Sequence, residues 1–312
     1  MTQKQRWTID QIPDQTGRVF VVTGASSGLG LATTRALVRR GGHVILAVRD
    51  VGKGDRTVAE ITDQHPGAGL EVRHLDLADL DSVRSFADQV RADHPRLDVL
   101  VNNAGVMAPP RSLSAQGHEL QFAVNHLGHF ALTGLLLDLL AVGRDPRVVT
   151  VSSLRHRNGR LRFDDLAGGR GYSPMAFYDQ SKFANAVFGR ELHRRLAEAG
   201  SPVRSVLAHP GYTATSLQTS GPVGLWRVVF GSVGNPLLAQ APDRGALPQL
   251  YAATEPTVEG GQFIGPDGPA ELRGGPTRVR LSAGAADEGT GRRLWEVSEQ
   301  LTDVRFAFPT PA

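Results

Sequence analysis

The chain has 312 residues, 40% of them hydrophobic, and a formal net charge of +3. This length accommodates one large α/β domain or two small ones with a substantial core. Because there is no cysteine, disulfides, thiolate nucleophiles and Cys-ligated metals are excluded.

The first residues and the distribution of charge narrow the function classes further. The N-terminus is polar, and the longest apolar run, residues 130–142, is too short to cross a bilayer and contains Asp138. The arginines are scattered, and the densest basic cluster, residues 155–162, has no interleaved aromatic side chains. We therefore expect a cytoplasmic protein that binds neither membranes nor nucleic acid.

After an N-terminal arm over residues 1–16, strand and helix patterns alternate. A nearly continuous apolar run at residues 18–23 is typical of a strand buried on both faces of a parallel sheet. The pattern predicts further strands at residues 43–48, 70–75, 97–101, 147–152 and 203–209, and helices at residues 29–40, 53–65, 80–94, 118–141 and 176–199. This alternation predicts an α/β fold, a Rossmann-type doubly wound parallel β-sheet flanked by helices, in a single domain over residues 17–312.

The chain beyond Pro210 has a different composition. Residues 211–240 are rich in Gly, Ser and Thr and include an apolar stretch around Trp226, so we expect a substrate lid there. Residues 241–312 extend the same domain. We expect helices at residues 244–253 and 287–301, a short edge strand at 262–264, and a frayed end at 305–312.

A glycine-rich turn, Thr23-Gly24-x-x-x-Gly28-x-Gly30, joins the first strand to the first helix. A dinucleotide phosphate can rest there on backbone N–H groups and on the positive end of the helix. Any βα connection may use glycine, but this position in the first βα unit favours a dinucleotide site. The expected cofactor contacts are Gly24, Ser26, Ser27, Gly28, Leu29 and Gly30.

The end of the second strand bears on the choice of cofactor. An NAD site generally has an acid there, whereas Val48 is followed by Arg49, a cation that suits a 2′-phosphate. We therefore predict NADP(H), with NAD(H) as the alternative. On the other interpretation, Arg49 merely pairs with Asp50 or Asp55 on the surface.

Polar residues also follow the next strands. Asp76, beside Leu77, is placed to hydrogen-bond the adenine, and the turn Asn103-Ala104-Gly105 to line the adenosine ribose. Turn chemistry alone would also explain Asn and Gly here. The strand at residues 147–152 runs into Ser152-Ser153, and since consecutive strand residues face opposite ways, we expect one serine to face the site.

Tyr178 and Lys182 lie four residues apart on a predicted helix, so their side chains share one face. An ammonium beside a phenol stabilises the phenolate, which predicts that the pKa of Tyr178 falls from about 10. The alternative is a chance pair on a solvated face, although random placement predicts only about 0.04 such pairs. The pair indicates an acid catalyst.

Together these motifs stand in the order seen in short-chain dehydrogenases/reductases, and the chain resembles that family over residues 17–215. The matching motifs are the glycine-rich turn, Asn102-Asn103-Ala104-Gly105, Asn125, Ser153, Tyr178-x3-Lys182 and Pro210-Gly211. The sequence around Asn125 and the long interval from Ser153 to Tyr178 further resemble the retinol dehydrogenase and WW-domain oxidoreductase branch. The resemblance implies carbonyl or alcohol chemistry.

The resemblance also implies a role for each matching residue. Tyr178 would give a proton to a carbonyl, and Lys182 would lower its pKa and hold the nicotinamide ribose. Ser153 would hydrogen-bond the substrate oxygen, and Asn125 would support a water-linked proton path to Lys182. The segment Pro210-Gly211-Tyr212-Thr213 resembles the one that binds the nicotinamide amide, so Pro210, Gly211 and Thr213 are expected cofactor contacts, and Thr213 or Thr215 would bind the amide.

Other features qualify the resemblance. Membrane retinol dehydrogenases usually carry an N-terminal anchor that this sequence lacks, so a substrate dissolved in a bilayer is not expected. Ser27 stands where many NADP-using relatives have a basic residue, which leaves Arg49 nearly alone to hold the phosphate. Family members often assemble through their two long central helices, so a homodimer or homotetramer is an open expectation.

His126 and His129 lie three residues apart, but no third ligand has a suitable spacing, so we expect packing or surface histidines and no metal. The sequence thus predicts an NADP(H)-dependent oxidoreductase, a carbonyl reductase or alcohol dehydrogenase, acting on a small to medium apolar ketone, aldehyde or secondary alcohol. The alternative is a dinucleotide-binding regulatory or sensor protein without turnover. The complete catalytic set argues against it, because a sensor needs no tuned phenol.

Overall fold

A computed structural model describes residues 7–213 and 240–308 of the chain. Its strands are β1 (Val19–Thr23), β2 (His43–Val48), β3 (Leu70–His74), β4 (Val99–Asn102), β5 (Arg147–Val151), β6 (Arg204–Ala208), β7 (Phe263–Pro266) and β8 (Pro276–Arg278). Its helices are α1 (Gly28–Val38), α2 (Val51–Gln64), α3 (Leu80–Asp93), α4 (Leu120–Phe122), α5 (Gly128–Leu135), α6 (Leu137–Ala141), α7 (Pro174–Glu198), α8 (Pro242–Gly245), α9 (Leu247–Thr254) and α10 (Glu288–Thr302).

All eight strands form one sheet in the order β3-β2-β1-β4-β5-β6-β7-β8. Every neighbouring pair is parallel except β7 and β8. Successive strands are added outward from β1 through β2 to β3 on one side, and from β4 through β5 to β8 on the other. This order confirms the predicted Rossmann-type fold in a single domain. Between β1 and β4 the strand order reverses, and in such sheets ligands bind at the carboxyl ends of the strands near that point.

The core consists of two apolar layers, one on each face of the sheet. Successive residues of β1 serve opposite layers: Val21 packs with Phe86 and Phe130, whereas Phe20 and Val22 pack with residues of α1. Because helices cover both faces, the central strands are apolar at nearly every position. This explains why they could be recognised as continuous apolar runs.

The predicted continuous helix at residues 118–141 is wrong. Glu119 begins it by accepting a hydrogen bond from the backbone N–H of Phe122, and residues Ala123–Leu127 then form a π-helical turn before α5. Leu136, at φ −106° and ψ 4°, separates α5 from α6. The wider π turn carries Asn125, and such turns are frequent at functional sites.

Two predictions for the C-terminal part are also wrong. β7 is an inner strand, since β8 pairs with it antiparallel, and Pro276-Thr277-Arg278 is too short and polar to be recognised from periodicity. Of the end predicted to be frayed, residues 305–308 are packed, because the Phe306 ring lies 4.5 Å from that of Trp295 and 4.8 Å from that of Phe130. Residues 309–312 lie outside the described part of the chain.

The aromatic residues of the C-terminal segment pack against α5 and α7, the helices at the centre of this face of the sheet. Trp295 of α10 contacts Phe130 of α5 at 5.1 Å and Phe188 of α7 at 6.0 Å between ring centroids. Assembly of two chains through this face would require these residues to move.

The N-terminal arm packs against the rest of the domain. In the arm, Ile12 is buried and Trp7 packs edge-on against Tyr251 at 5.3 Å between ring centroids.

The predicted lid lies largely outside the described residues, which include only positions 211–213 and 240 of it. Within the described part of the chain, no helix combines the length and apolar character needed to span a bilayer.

Candidate active site

A groove of about 370 Å³ follows the carboxyl ends of β1, β2 and β3. It is lined by many of the predicted cofactor contacts, namely Gly24, Ser26, Ser27, Arg49, Asp76, Leu77, Ala104 and Gly105. Gly28 is the first residue of α1, directly after this turn. Residues far apart in sequence therefore meet where the fold predicts a dinucleotide.

The glycine-rich turn favours glycine at two positions for different reasons. A Cβ atom on Gly30 would lie 2.3 Å from the carbonyl oxygen of Gly24 and 2.8 Å from Nδ2 of Asn103. Gly24 itself has a φ of 68°, in the left-handed region that favours glycine. The turn thus brings the chain close to the start of α1, where backbone N–H groups point outward, and these residues fit a dinucleotide phosphate.

Arg49 is exposed at the mouth of this groove and forms no ion pair with any carboxylate of the described residues. Asp50, one of its proposed surface partners, instead caps α2 by accepting a hydrogen bond from the Lys53 backbone N–H at 2.9 Å. The surface-pair interpretation is therefore wrong. Lys53 lines the same groove, so Arg49 is not alone there, contrary to the expectation drawn from Ser27.

Asp76 and Asn103 shape the groove through turn hydrogen bonds. Oδ1 of Asp76 accepts from the Ala78 backbone N–H at 2.9 Å. Nδ2 of Asn103 donates to the Thr23 carbonyl at 2.8 Å, and the Asn103 backbone N–H donates to Oγ1 of Thr23 at 2.9 Å. Asn103 thus ties the end of β4 to the end of β1, which fixes the width of the groove.

A second cavity, of about 280 Å³, lies beyond β4, where β5, β6 and α7 meet. Its lining comprises Leu29, Asn103, Met107, Val151, Ser152, Ser153, Arg155, Met175, Tyr178, Lys182, Pro210, Gly211, Tyr212 and Thr213. The predicted residues Ser153, Tyr178 and Lys182 therefore meet in one cavity, next to the predicted nicotinamide segment. Leu29, Met107 and Met175 give it apolar walls.

The predicted fall in the pKa of Tyr178 is wrong for this structure. Burial raises that pKa to about 12, and the hydrogen bond with Ser153, which favours a lower pKa, offsets only part of the rise. Nζ of Lys182 lies 5.9 Å from the centroid of the Tyr178 ring and donates to the Val151 carbonyl at 3.2 Å. Four-residue spacing put both groups on one face as expected, but the phenol is too deeply buried for a neighbouring charge at that distance to dominate.

Burial also acts on Lys182, whose pKa it lowers to about 8. The backbone around the lysine is fixed by Ser152, whose Oγ donates to the Lys182 carbonyl at 2.8 Å. Of the two consecutive serines, Ser152 therefore anchors α7, and Ser153 reaches the phenol. At neutral pH the ammonium form of Lys182 predominates.

Asn125 is fully buried and does not line either cavity. Its Oδ1 accepts from the Val106 backbone N–H at 2.8 Å, and its Nδ2 donates to the Val106 carbonyl at 3.0 Å and to Oγ of Ser181 at 2.8 Å. A Cβ atom on Gly105 would lie 3.1 Å from Oδ1 of Asn125 and 3.6 Å from Nζ of Lys182. Asn125 thus holds the loop after β4 against α7, close to the lysine.

Both histidines near Asn125 are packing residues. Nε2 of His126 lies 2.8 Å from Oγ of Ser298, and its ring is surrounded by phenylalanines. Nε2 of His129 lies 2.9 Å from Oγ1 of Thr23, and its Nδ1 lies 3.0 Å from the Asn125 carbonyl oxygen. The two imidazoles bind different partners and do not converge.

Sequence reasoning missed an ion pair at the edge of the cavity. Arg155 contacts both carboxylate oxygens of Asp179 at 2.6 Å, through Nε and Nη2. Asp179 directly follows Tyr178, and its charge raises the pKa of that phenol while that of Arg155 lowers it. The pair could not be recognised in the sequence, because its members are 24 residues apart on different elements.

The predicted nicotinamide segment rests on a chain of polar contacts that runs from the buried His209 to the surface. His209 precedes Pro210, accepts the Gly211 backbone N–H on Nδ1 at 3.2 Å, and has Nε2 at 3.0 Å from Oε2 of Glu271. Arg157 donates to the other oxygen of Glu271 at 2.7 Å. These contacts fix the end of β6, where the cavity is lined by Gly211 and Thr213.

We expect replacement of Glu271 by glutamine to weaken the fold above about pH 5 and to flatten its acid transition. Hydrogen bonds from His209 and Arg157 lower the pKa of Glu271 to about 2, so the stabilisation they give is present above pH 4.5 and is lost as pH falls toward 2. The melting temperature at pH 7 should fall by about 2–5 °C. Thermal unfolding at several pH values measures both effects, and Glu296→Gln on the exposed face of α10 is the control. Equal pH profiles for Glu271→Gln and wild type would contradict the assignment.

The comparisons with known proteins agree with this arrangement. The family model described as short chain dehydrogenase matches residues 18–222. The chain is 38% identical over 300 residues to mouse (Mus musculus) retinol dehydrogenase 14, covering 92% of this chain and 86% of that protein. It is 40% identical over 295 residues to human retinol dehydrogenase 13, covering 92% and 85%.

Solved structures give the same result. A crystal structure of an uncharacterised protein from Mycobacterium paratuberculosis superposes with a TM-score of 0.80 at 44% identity, covering 97% of this chain and 99% of the other. A short chain dehydrogenase from Escherichia coli CFT073, complexed with NADPH, gives a TM-score of 0.64 at 25% identity, covering 80% and 97%. From its fold, the convergence of Ser153, Tyr178 and Lys182, and these matches, the chain belongs to the short-chain dehydrogenase/reductase family of oxidoreductases, in the retinol dehydrogenase-like branch.

Proposed function

We propose that this protein is an NADP(H)-dependent oxidoreductase that interconverts a small to medium apolar ketone or aldehyde with its alcohol. The observation that carries the proposal is the cavity in which Tyr178, Ser153 and Lys182 meet beneath apolar side chains such as Met107 and Met175. Its volume of about 280 Å³ suits a small organic molecule. The groove with Arg49 and Lys53 opens along the same edge of the sheet and would hold the adenosine end of the cofactor.

When bound, the nicotinamide supplies or accepts the hydride. In the reductive direction, Oη of Tyr178 gives its proton to the carbonyl oxygen, on which negative charge develops. The Ser153 hydroxyl donates a hydrogen bond to that same oxygen. Since the pKa of Tyr178 is raised by burial, the phenol holds its proton at neutral pH and is in the acid form that reduction requires.

Lys182 supports this proton transfer through its charge, and Asn125 supports it by positioning the lysine. The ammonium of Lys182 stabilises the phenolate left after transfer, and its Nζ has further donor protons for the nicotinamide ribose. Asn125 positions the Val106 backbone and α7 through its amide, which keeps the lysine facing the tyrosine. A water-linked path from Asn125 to Lys182 remains part of the proposal.

The test follows NADPH and NADH oxidation by the purified protein across aldehydes, aliphatic ketones, quinones, ketosteroids and retinal. Retinal is included because relatives of this chain are named retinol dehydrogenases. The proposal expects turnover with at least one carbonyl class. Tight NADPH binding without turnover on any of them would instead favour a regulatory or sensor protein. Such a protein would not need the complete arrangement of Ser153, Tyr178 and Lys182.

Replacing Arg49 by alanine should raise KM for NADPH about 10-fold or more and leave KM for NADH nearly unchanged. The reason is that the guanidinium forms no ion pair within residues 7–213 and 240–308 and would contact only a 2′-phosphate. Steady-state kinetics with both cofactors measure the change. The control is Arg39→Ala, an exposed arginine just after α1 at its end remote from the groove. A parallel rise in both KM values would rule out selective phosphate recognition.

A cytoplasmic location and a homodimer or homotetramer stay predictions. Gel filtration with light scattering measures the assembly. If two chains associate through α5 and α7, the contact of Phe306 with Phe130 must open, so a phenylalanine-to-alanine change at position 306 should alter the assembly.

A further inference from the structure

Three side chains of metal-binding type converge at the edge of the sheet opposite the candidate active site. His43 is the first residue of β2, Glu71 is the second residue of β3, and His94 directly follows α3. One donor atom from each lies within 4.8 Å of the other two. At about 3.3 Å per strand residue, His43 lies about 16 Å from Val48 at the cofactor end of the same strand.

The two imidazoles approach a single oxygen of the carboxylate. Nε2 of His43 lies 2.6 Å from Oε1 of Glu71, and Nε2 of His94 lies 3.1 Å from the same oxygen. A tetrahedral zinc ion with bonds of about 2.0–2.2 Å holds its ligand atoms about 3.3 Å apart. Small side-chain rotations would therefore bring the three atoms to zinc-binding separations.

Arg73 occupies the other oxygen of the carboxylate. Its Nε lies 3.1 Å and its Nη2 2.5 Å from Oε2 of Glu71, and its Nη1 lies 2.9 Å from Oδ2 of Asp93. Arg73 therefore holds Oε2, and Oε1 is the oxygen nearer to both histidines, since Nε2 of His94 lies 3.1 Å from Oε1 and 3.3 Å from Oε2. Outer hydrogen bonds of this kind commonly orient metal ligands. With Glu71 and Asp93 negative and Arg73 positive, the surroundings carry one net negative charge when both imidazoles are neutral.

The arrangement gives access from solvent and has a proton that the ion must displace. Nε2 of each imidazole faces the carboxylate of Glu71, which only accepts, so without the ion each Nε2 carries a proton that zinc binding would displace. The side chains of His43, Glu71 and His94 are 33%, 28% and 13% exposed. An ion can therefore enter from solvent and retain water as a further ligand.

We propose that His43, Glu71 and His94 bind one zinc ion that links β2, β3 and the end of α3. Two imidazoles and one carboxylate form a donor set that zinc commonly takes in proteins. Because the ion would bind the folded chain and not the unfolded one, it would stabilise the protein. Its position at the end of β2 remote from Val48 and the cofactor groove separates this site from the proposed oxidoreductase activity.

The test uses untagged full-length protein, treated with EDTA and dialysed, and titrated with zinc chloride in a calorimeter. One ion per chain should bind with a Kd of about 10 µM or tighter, and a saturating concentration should raise the melting temperature by several degrees. His43→Gln and His94→Gln should each weaken binding at least about tenfold. The matched control, His74→Gln, changes an exposed histidine at the other end of β3 and should bind zinc like wild type.

The proposal is overturned if wild type shows no saturable binding up to about 100 µM zinc, or if both histidine variants bind as tightly as wild type. If the variants fail to fold, by circular dichroism, the wild-type protein still decides the question with Co²⁺. A site of this kind should give the intense visible absorption of tetrahedral cobalt, displaced by one equivalent of zinc. If folded wild type with Co²⁺ gave only the spectrum of octahedral aqueous cobalt, the proposed site would be ruled out.

Discussion

Tyr178→Phe should lower kcat for carbonyl reduction about 10²- to 10⁴-fold, the usual contribution of a positioned general acid. The change removes one oxygen atom from the lining of the cavity and leaves the buried ring in place, so the fold and the cofactor groove should persist. The affinity for NADPH, measured by fluorescence titration, should change by less than about threefold, since the groove with Arg49 lies on the other side of β4. Single-turnover measurements with NADPH separate the chemical step from binding.

A matched control is Tyr251→Phe, because the Tyr251 ring packs against Trp7 at 5.3 Å and lies outside both cavities. This variant should keep wild-type kcat. If Tyr178→Phe retained full turnover while folded, the proton donor would have to be another group, and the proposed mechanism would fail.

Lys182→Met should have two opposite effects, a loss of turnover and a gain in stability. Without the ammonium, the phenolate formed in the reaction loses its stabilising charge, and kcat should fall at least about 100-fold. The free energy of unfolding at pH 7 should rise by on the order of 1–3 kcal/mol, because methionine removes a buried charge at nearly constant volume. The lost hydrogen bond from Nζ to the Val151 carbonyl offsets part of this gain.

The gain should depend on pH in a defined direction. Burial lowers the pKa of Lys182 from 10.5 to about 8, so below pH 8 the lysine is charged in both the folded and the unfolded chain, and its full destabilisation is present. As pH rises from 8 to 10.5 the folded chain releases the proton first, and the destabilisation disappears. The stability difference between Lys182→Met and wild type should therefore be largest at neutral pH and shrink toward pH 10.

Urea unfolding from pH 7 to pH 10 measures this difference. Lys53→Met is the control for the stability measurement, since Lys53 is exposed and its change should give a small difference that does not vary with pH. A Lys182→Met protein less stable than wild type at pH 7 would mean that the buried ammonium contributes more through its contacts than it costs through burial. Such a result would contradict the assigned pKa.

Much of the fold and of the candidate site was predictable because it depends on local signals. The apolar run before Gly24, the turn to Gly30 and the four-residue spacing of Tyr178 and Lys182 each follow from periodicity or backbone restrictions. The start of α10 is equally local, since the Asp287 side chain accepts a hydrogen bond from the Thr290 backbone N–H at 2.7 Å. Such features need no knowledge of what packs against them.

Features that depend on long-range contacts were missed. Lys53 joins Arg49 only because α2 begins where β2 ends at the groove, and Arg155 reaches Asp179 only after the loop beyond β5 folds back on α7. The packing of Phe306 was hidden because its partners are far away in sequence. None of these contacts has a period or a motif.

The sequence by itself determined the doubly wound sheet, the order of the dinucleotide motifs and the candidates for proton transfer, because these follow from alternation, glycine and spacing along one chain. Only the tertiary structure determined the directions in which the pKa values of Tyr178 and Lys182 shift. Burial raises the pKa of Tyr178 and lowers that of Lys182, opposite to what the neighbouring charge predicts for the phenol. It also brought His43, Glu71 and His94 together from three elements. Desolvation and ligand geometry depend on the surrounding atoms in space, which the order of residues along the chain does not specify.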